Sequence, residues 1–286
     1  MPLKRELQAC ISAFFGINIK GITDWSDLYG SNYVRSFSVN GEKYVIRKYR
    51  QPHPDTAATE KAAYFALAPL GLTDEVLCFD DKGIKITRFI EGEHLGFGER
   101  DQEDSIALLR DVHESSPDIP YSYDIFGSIM YWASLCRDPN SQNLKIIRSY
   151  QSKIDRIKII LDSMKIKEVL CHGDPCLFSN IMRLKNGSLR IIDWEYAGMA
   201  DPFMDLAIAS VRQGFEKVDP FKSLERYLQR KPTCDETFRL KAYIALGALE
   251  YAAWQINEQN ARKFQKWLAL SCEPYGLNLS FCDRPM

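Results

Sequence analysis

CHGDPCLFSN, residues 171–180, is followed by DWEYAG, residues 193–198, and these two stretches set the architecture of the chain. The apolar residues 169–171 predict a short strand that leads into the first stretch. Residues 181–184 and 189–192 predict two further strands, and the Asn186-Gly187 pair between them is the strongest short signal for a β-hairpin. Such a hairpin returns Asp193 to the side of Asn180.

The polar side chains of the two stretches are those that phosphoryl transfer requires. The reaction needs a carboxylate beside the acceptor hydroxyl, together with oxygen ligands that hold magnesium. Asp174 is placed to accept the hydroxyl proton, and Asn180 and Asp193 offer the amide and carboxylate oxygens that magnesium prefers. Either half alone is equally compatible with an ordinary polar turn, but the two halves in this order, joined by a hairpin, favour catalysis.

The two stretches resemble the catalytic and metal-binding loops of the aminoglycoside phosphotransferase and choline kinase superfamily. The second stretch, which continues as MADP to residue 202 with Asp205 beyond it, is similar to that of bacterial choline kinases that supply phosphocholine for surface polysaccharides. One spacing departs from the family pattern, in which the amide lies five residues after the catalytic aspartate. Asn180 lies six residues after Asp174, so we expect a one-residue bulge or a shared role for Ser179.

The resemblance implies an α+β, protein-kinase-like fold of two lobes. The smaller lobe, residues 1–91, is expected to contain an antiparallel β-sheet with one main helix and to bind the nucleotide. The larger lobe, residues 92–286, is expected to be mainly helical and to carry the catalytic loop and the acceptor site. The implied cofactors are ATP and Mg²⁺.

Composition limits the partners of the chain. Lys and Arg number 37 against 38 Asp and Glu, a net charge of -1 that provides no broad field for nucleic acid or an anionic membrane. We find no apolar run of membrane-spanning length and no apolar stretch of signal-peptide length at the start. The eight cysteines contain no C-x-x-C pair, which favours reduced residues in the core. A cytoplasmic protein with a small-molecule substrate is expected, with no nucleic-acid or membrane partner and with its oligomeric state left open.

A second hairpin is predicted near the start of the chain, where Asn40-Gly41 separates the strand candidates 33–39 and 42–49. Side chains alternate along a strand, so Val45 and Arg47 share one face. The resemblance places Arg47 where kinases have a phosphate-binding lysine, with Glu60 of the predicted helix 55–67 as its partner. An exposed strand edge for Arg47 and a solvated Glu60 are the alternatives.

The remaining nucleotide contacts follow from the resemblance. The loop 27–32 stands where the phosphate-covering turn is expected, which makes Ser31 and Asn32 candidate phosphate ligands, although the loop has only one glycine. Main-chain groups of Phe89, Ile90 and Glu91 are expected to receive the adenine. Gly92 is the expected hinge.

Helical periodicity dominates the second half of the chain, over residues 104–113, 143–164, 202–213, 222–230 and 237–271. In the last of these, Gly247, Tyr251, Trp254 and Glu258 share one stripe. Aromatic faces and nearby carboxylates bind a quaternary ammonium, and choline kinases carry two aromatics three residues apart in the matching helix. The resemblance also assigns Glu195 to this substrate site, beside Asp174. An aromatic stripe is, on its own, more typical of a core.

The sequence therefore predicts an ATP-dependent phosphotransferase that phosphorylates a small amino alcohol, with choline as the favoured acceptor. Ethanolamine, thiamine, an aminoglycoside or a sugar would suit the same catalytic loops. A non-catalytic, nucleotide-binding pseudokinase is the alternative of a different class. The glycine-poor phosphate loop and the extra residue before Asn180 favour the pseudokinase, whereas the presence of Asp174, Asn180 and Asp193 together disfavours it.

Overall fold

The computed structural model describes residues 2–28, 32–50, 56–115, 117–257 and 260–272. An antiparallel sheet forms the N-terminal part and helices form most of the remainder, which confirms the predicted α+β class. None of the helices in these residues is both long enough and apolar enough to cross a membrane.

The N-terminal sheet has five antiparallel strands in the order β1-β2-β3-β5-β4. Asn40 and Gly41 have φ angles of 54° and 84°, the left-handed conformation that a two-residue hairpin requires. Val39 pairs with Glu42 across that turn, so the predicted hairpin is confirmed. The strands are β1 (Thr23–Leu28), β2 (Tyr33–Val39), β3 (Glu42–Lys48), β4 (Val76–Phe79) and β5 (Ile84–Arg88).

Two helices accompany the sheet. α1 (Pro2–Phe15), for which the sequence analysis made no prediction, buries Leu7 and Ile11 against a cluster that includes Phe37 of the sheet. α2 (Thr56–Leu67) agrees with the predicted helix, whose first residue, Asp55, lies outside the described residues. Glu60 projects from α2 into the interior and is fully buried.

The helical lobe surrounds α10, which packs against α4, α8 and α11. Its core is continuous and includes Trp194, Leu206 and Leu249, each fully buried. The helices are α3 (Glu99–Ser115), α4 (Ile125–Ser134), α5 (Gln142–Ser149), α6 (Gln151–Ser163), α7 (Leu177–Asn180), α8 (Pro202–Gln213), α9 (Pro220–Leu228), α10 (Cys234–Asn257) and α11 (Ala261–Cys272).

Five short strands lie among these helices. β7 pairs with β10, and the hairpin of β8 and β9 is extended by β6. The predicted strands 169–171 and 181–184 are confirmed, whereas β6 and β10 were not predicted. β6 begins at the expected hinge, Gly92, and pairs there with Leu184. The strands are β6 (Gly92–His94), β7 (Val169–Cys171), β8 (Ile181–Leu184), β9 (Leu189–Ile191) and β10 (Gly198–Ala200).

Two predicted long helices are each divided in the structure. The segment 143–164 forms α5 and α6, which meet at Tyr150. The segment 237–271 forms α10 and α11, and the side chain of Asn260 accepts a hydrogen bond from Lys263 N (3.0 Å) at the start of the second helix. The apolar period continues across Tyr150, so periodicity concealed the first division, whereas the polar run NEQN at residues 257–260 was a signal for the second.

Candidate active site

Asp205 fixes the loop that follows β7. Its carboxylate accepts hydrogen bonds from the backbone N–H groups of His172 and Gly173, each at 2.8 Å, and lies 3.0 Å from Nε2 of His113. Burial opposes the charge of Asp205, but the hydrogen bond and charge of His113 outweigh it and hold the pKa of the carboxyl below its usual range. Asp205 therefore braces the loop through its backbone.

His172 joins the loop to the end of β9. Asp174 N donates to Nδ1 of His172 (3.1 Å), so the ring proton resides on Nε2, which lies 2.9 Å from the carbonyl oxygen of Ile192. Between them, Gly173 has a φ of +79°, and a Cβ there would collide with the carbonyl oxygen of Tyr196. The turn that presents Asp174 therefore requires glycine.

The segment from Asp174 to Asn180, which carries the extra residue, ends in α7, a single helical turn. Asn180 N donates to Cys176 O at 2.8 Å and thereby closes the turn. The Asn180 side chain then points back, and its Nδ2 donates to Asp174 O at 2.8 Å. Ser179, from the same turn, lines the cavity described below. The longer spacing thus still brings Asn180 next to Asp174.

Asn180 and Asp193 are brought together by the β8–β9 hairpin, because Ile192 N donates to Asn180 O at 2.8 Å and Asp193 follows directly. Asp193 has a φ of +70°, a conformation that Asp and Asn tolerate better than most residues. Nδ2 of Asn180 is engaged by Asp174, which leaves its Oδ1 for a cation. An amide oxygen and a carboxylate suit Mg²⁺. The metal role of both residues remains a prediction.

Arg47 lies in a cluster of carboxylates rather than on an exposed edge. It is buried and forms ion pairs with Glu60 and Asp193, and its guanidinium is 3.8 Å from the carboxylate of Glu195. Burial opposes the charge of Arg47, but the surrounding carboxylates outweigh it and raise its pKa. The alternatives of an exposed Arg47 and a solvated Glu60 are therefore wrong.

Lys85 is a second buried cation, beside Arg47, and it was not predicted from the sequence. It pairs directly with Arg47 in the register of β3 and β5, and its Nζ donates to Glu60 Oε1 at 2.8 Å and to the hydroxyl of Tyr64 at 2.6 Å. The two residues are 38 positions apart and become neighbours only when β3 pairs with β5, so no local pattern pointed to Lys85.

One cavity of about 550 Å³ extends from Arg47 and Lys85, which form its cationic end, to α10. Phe89 and Ile90, predicted to receive the adenine, line the cavity, but Phe89 N already donates to Lys43 O at 3.1 Å. Glu91 does not line the cavity and pairs with Lys185 at the surface. The apolar walls of the cationic end come from Leu28, Val34, Val45, Met182 and Ile192.

Asn32, a predicted phosphate ligand of the loop 27–32, contacts both lobes. Its Nδ2 donates to Glu195 Oε2 at 2.6 Å, and its Oδ1 accepts from Arg50 N at 3.2 Å. The other predicted phosphate ligand of that loop, Ser31, lies outside the described residues.

The opposite end of the cavity is aromatic. Tyr251 and Trp254 both line it, with ring centroids 6.5 Å apart and planes at 76°, while Glu258 lies outside the described residues. The other aromatic side chains of the cavity come from separate segments and were therefore not predicted, namely Tyr123, Trp132 and Tyr196.

Glu250 is the carboxylate of the aromatic end. Its Oε1 accepts hydrogen bonds from the hydroxyl of Tyr123 (2.5 Å) and from Ser128. Burial raises the pKa of Glu250 to about 7. Glu250 lies within the predicted helix 237–271, but no sequence pattern indicated a role for it.

Glu195, predicted to bind the substrate ammonium, lies at the cationic end. Its close partners among the described residues are Asn32 and Arg47. Burial, together with the charge of Asp193, raises the pKa of Glu195 to about 8. Glu195 therefore contacts the cationic end of the cavity rather than the predicted aromatic pair. Its role in acceptor binding remains a prediction.

Arg212, at the end of α8, is a further residue that the sequence analysis missed. Its Nε lies 3.1 Å from Asp174 Oδ1 and one terminal nitrogen lies 3.2 Å from Asp174 Oδ2. The guanidinium carbon also lies 4.6 Å from the centre of the Tyr251 ring. The candidate base and the candidate acceptor cage therefore share one cation.

Comparisons with known proteins agree with this architecture. A model of the phosphotransferase enzyme family matches residues 24–231. Protein LicA of Haemophilus influenzae is 28% identical over 183 residues, which are 59% of this chain and 66%, just under two thirds, of that protein.

Two solved structures share the fold. The choline kinase LicA from Streptococcus pneumoniae superposes with a TM-score of 0.75 at 19% identity, over 94% of this chain and 99% of that one. A choline/ethanolamine kinase family protein from Mesorhizobium loti has a TM-score of 0.73 at 22% identity, and 95% of each chain is covered. The predicted protein-kinase-like fold is confirmed.

Proposed function

The chain belongs to the phosphotransferase enzyme family, and we propose that it is an ATP-dependent kinase that phosphorylates the hydroxyl of a small amino alcohol, with choline as the favoured acceptor. One observation carries the proposal. A single cavity joins the Arg47 cluster to the aromatic end, and Asp174 lines it. Asp174 contacts Asn180 through its carbonyl oxygen and Tyr251 through its carboxylate.

Each group in the cavity has a distinct part in the proposed transfer. Arg47, supported by Glu60, binds the nucleotide phosphates, and Asn32 is held beside Arg47 by its hydrogen bond to Glu195. Asn180 and Asp193 would hold Mg²⁺, which supplies charge neutralisation at the phosphate oxygens when bound. Asp174 orients the acceptor hydroxyl and accepts its proton. The chain's task is mostly positioning, as expected for phosphoryl transfer.

The aromatic end supports a cationic acceptor. A quaternary ammonium donates no ordinary hydrogen bonds and is held by ring faces and by nearby negative charge. Trp254 and Tyr123 provide rings, and Glu250 provides the carboxylate within the same cavity. Ethanolamine is the second candidate acceptor, because Glu250 would accept a hydrogen bond from its primary ammonium.

An acceptor screen tests the proposal. The purified chain, ATP and Mg²⁺ are incubated with choline, ethanolamine, thiamine, an aminoglycoside or a simple sugar, and ATP consumption and the mass of the product are measured. Choline is expected to give the highest kcat/KM. Asp174→Asn is the matched control, which should lose transfer yet still bind ATP. Turnover by that variant would contradict the mechanism, and no turnover by the wild type with any acceptor would favour the pseudokinase.

A further inference from the structure

The Arg212 guanidinium makes a two-point contact with the candidate base. Its Nε and one terminal nitrogen reach the two different oxygens of Asp174, at 3.1 and 3.2 Å. A planar guanidinium bound in this way fixes the rotation of the carboxylate, which a single ammonium group does not. Arg212 also lines the cavity, and 30% of its side chain is exposed.

The two oxygens of Asp174 are not equivalent. Oδ1 accepts from Arg212 Nε and from the Tyr251 hydroxyl (3.3 Å), which uses both of its lone pairs. Among the described residues, Oδ2 accepts from Arg212 alone, so one lone pair is left for a further donor. Oδ2 is therefore the atom able to receive the acceptor hydroxyl.

The same guanidinium lies beside the predicted acceptor cage. It lies 4.6 Å from the ring centre of Tyr251, which was expected to receive the substrate cation. The Trp267 ring lies 5.4 Å from that of Tyr251. An ammonium in the aromatic end would lie near a fixed positive charge, which disfavours its binding.

We propose that Arg212 is a positioning residue, which orients Asp174 so that Oδ2 faces the acceptor hydroxyl and which weakens the binding of a cationic acceptor as a consequence of its own charge. The proposal rests on the proposed kinase function. It assigns opposite effects to one side chain, since loss of Arg212 slows transfer and at the same time improves acceptor affinity.

Steady-state kinetics of Arg212→Gln with choline test both effects. We expect kcat to fall about 100-fold, because the base is no longer held in the reactive orientation. The KM for choline should fall about fivefold, because a like charge is removed and the charge of Asp174 becomes uncompensated. Binding of choline measured by calorimetry should tighten in parallel.

Two probes separate charge from geometry. Arg212→Lys keeps the charge but lacks the planar fork, so its choline KM should stay near that of the wild type while kcat falls. The alcohol 3,3-dimethylbutan-1-ol is a neutral isostere of choline, and its KM should not fall in Arg212→Gln. A purely structural role for Arg212 would produce neither pattern.

The chain contains a matched control pair. Arg239 reaches both oxygens of Asp201, at 2.9 and 2.6 Å, and its guanidinium carbon lies 4.0 Å from the centre of the Phe203 ring. These residues repeat the Arg212 arrangement but do not line the cavity. Arg239→Gln should therefore keep kcat and KM within about twofold even if its melting temperature falls. Arg239→Lys is the milder version of this control.

The outcomes distinguish this inference from the proposed function. A wild-type chain that phosphorylates no alcohol overturns the proposed function and the role of Arg212 together. An active wild type whose Arg212→Gln variant keeps its kcat overturns the role of Arg212 alone. A fall in KM that is equal for choline and its neutral isostere also overturns it. Opposite changes in kcat and choline KM, with Arg239→Gln unaffected, support it.

Discussion

Arg47 and Lys85 lie directly opposite each other on β3 and β5, and both bind the carboxylate of Glu60. One buried carboxylate from α2 thus compensates two buried cations of the sheet. Tyr49 also donates a hydrogen bond to Glu60, and Arg47 forms a second ion pair with Asp193 in the other lobe. Glu60 therefore joins Arg47, Lys85 and Tyr49 at the cationic end of the cavity.

Replacing Glu60 should be strongly destabilising. Glu60→Gln leaves two neighbouring cations buried without their shared charge, and breaking a buried pair of this kind costs about 3–5 kcal/mol. Urea denaturation at pH 7 measures this change in the free energy of unfolding. The KM for ATP should rise as well, since Arg47 loses the partner that orients it.

Glu75→Gln is the control for this prediction. Glu75 pairs with Arg88 on the outside of the same lobe, where both side chains are exposed. Exposed ion pairs contribute little, so this variant should unfold at the urea concentration of the wild type. A similar loss in both variants would show that Glu60 has no special place in the lobe.

Acceptor affinity should depend on pH through Glu250. Burial raises the pKa of this carboxyl to about 7, so it is mostly protonated at pH 6 and mostly charged at pH 8. The charged form attracts an ammonium, and we expect the KM for choline to fall as pH rises across this range. Glu250→Gln should remove the dependence. An unchanged pH profile in that variant would assign the titration to another group.

The same raised pKa predicts that the stability of the folded state falls as pH rises, whereas acceptor affinity increases. The folded pKa of Glu250 lies above the unfolded value, so between about pH 4.5 and 7 the folded state holds a proton that the unfolded state has lost. Stability contributed by this group therefore falls as pH rises through that window, by about 3 kcal/mol, and levels off above pH 7. Urea denaturation of the wild type and of Glu250→Gln between pH 4.5 and 7.5 measures the difference.

Local signals predicted the parts of the structure that depend on neighbouring residues. The hairpin at Asn40-Gly41 follows from turn chemistry, and the approach of Asn180 to Asp193 follows from the hairpin between them. The pairing of Arg47 with Glu60 was predicted from the family resemblance, and it forms because α2 packs against the sheet.

The acceptor end could not be predicted in this way, because its walls come from distant segments. α4 carries Trp132 and is apolar almost throughout, so it lacks the periodic pattern that reveals a helix. The position of Arg212 on α8 was predictable, but its contact with Asp174 depends on how α8 packs. Glu250 lies three residues after Gly247 and four before Trp254, so helical spacing allows it on the same face, but the aromatic pattern alone gave it no role.

Asp193 should control the magnesium dependence of nucleotide binding. Asp193→Asn keeps a residue that tolerates the φ of +70° but removes the carboxylate charge. ADP with Mg²⁺ should raise the melting temperature of the wild type more than ADP alone, and this additional rise should be lost in the variant. Asp155→Asn, an exposed change on α6, should retain it. An additional rise of wild-type size in Asp193→Asn would remove Asp193 from the metal site.

Trp254 should determine acceptor affinity without affecting ATP. Its ring lines the aromatic end of the cavity, and a cation held over a desolvated ring gains about 2 kcal/mol. Trp254→Ala should therefore raise the KM for choline at least tenfold and leave the KM for ATP unchanged, whereas Trp254→Phe keeps a ring face and should recover most of the affinity. Trp25→Ala removes a tryptophan of β1 that does not line the cavity, and it should change neither constant. If the choline KM of Trp254→Ala equals that of the wild type, Trp254 belongs to the core and the acceptor cation is bound by the Tyr123 and Glu250 side of the cavity.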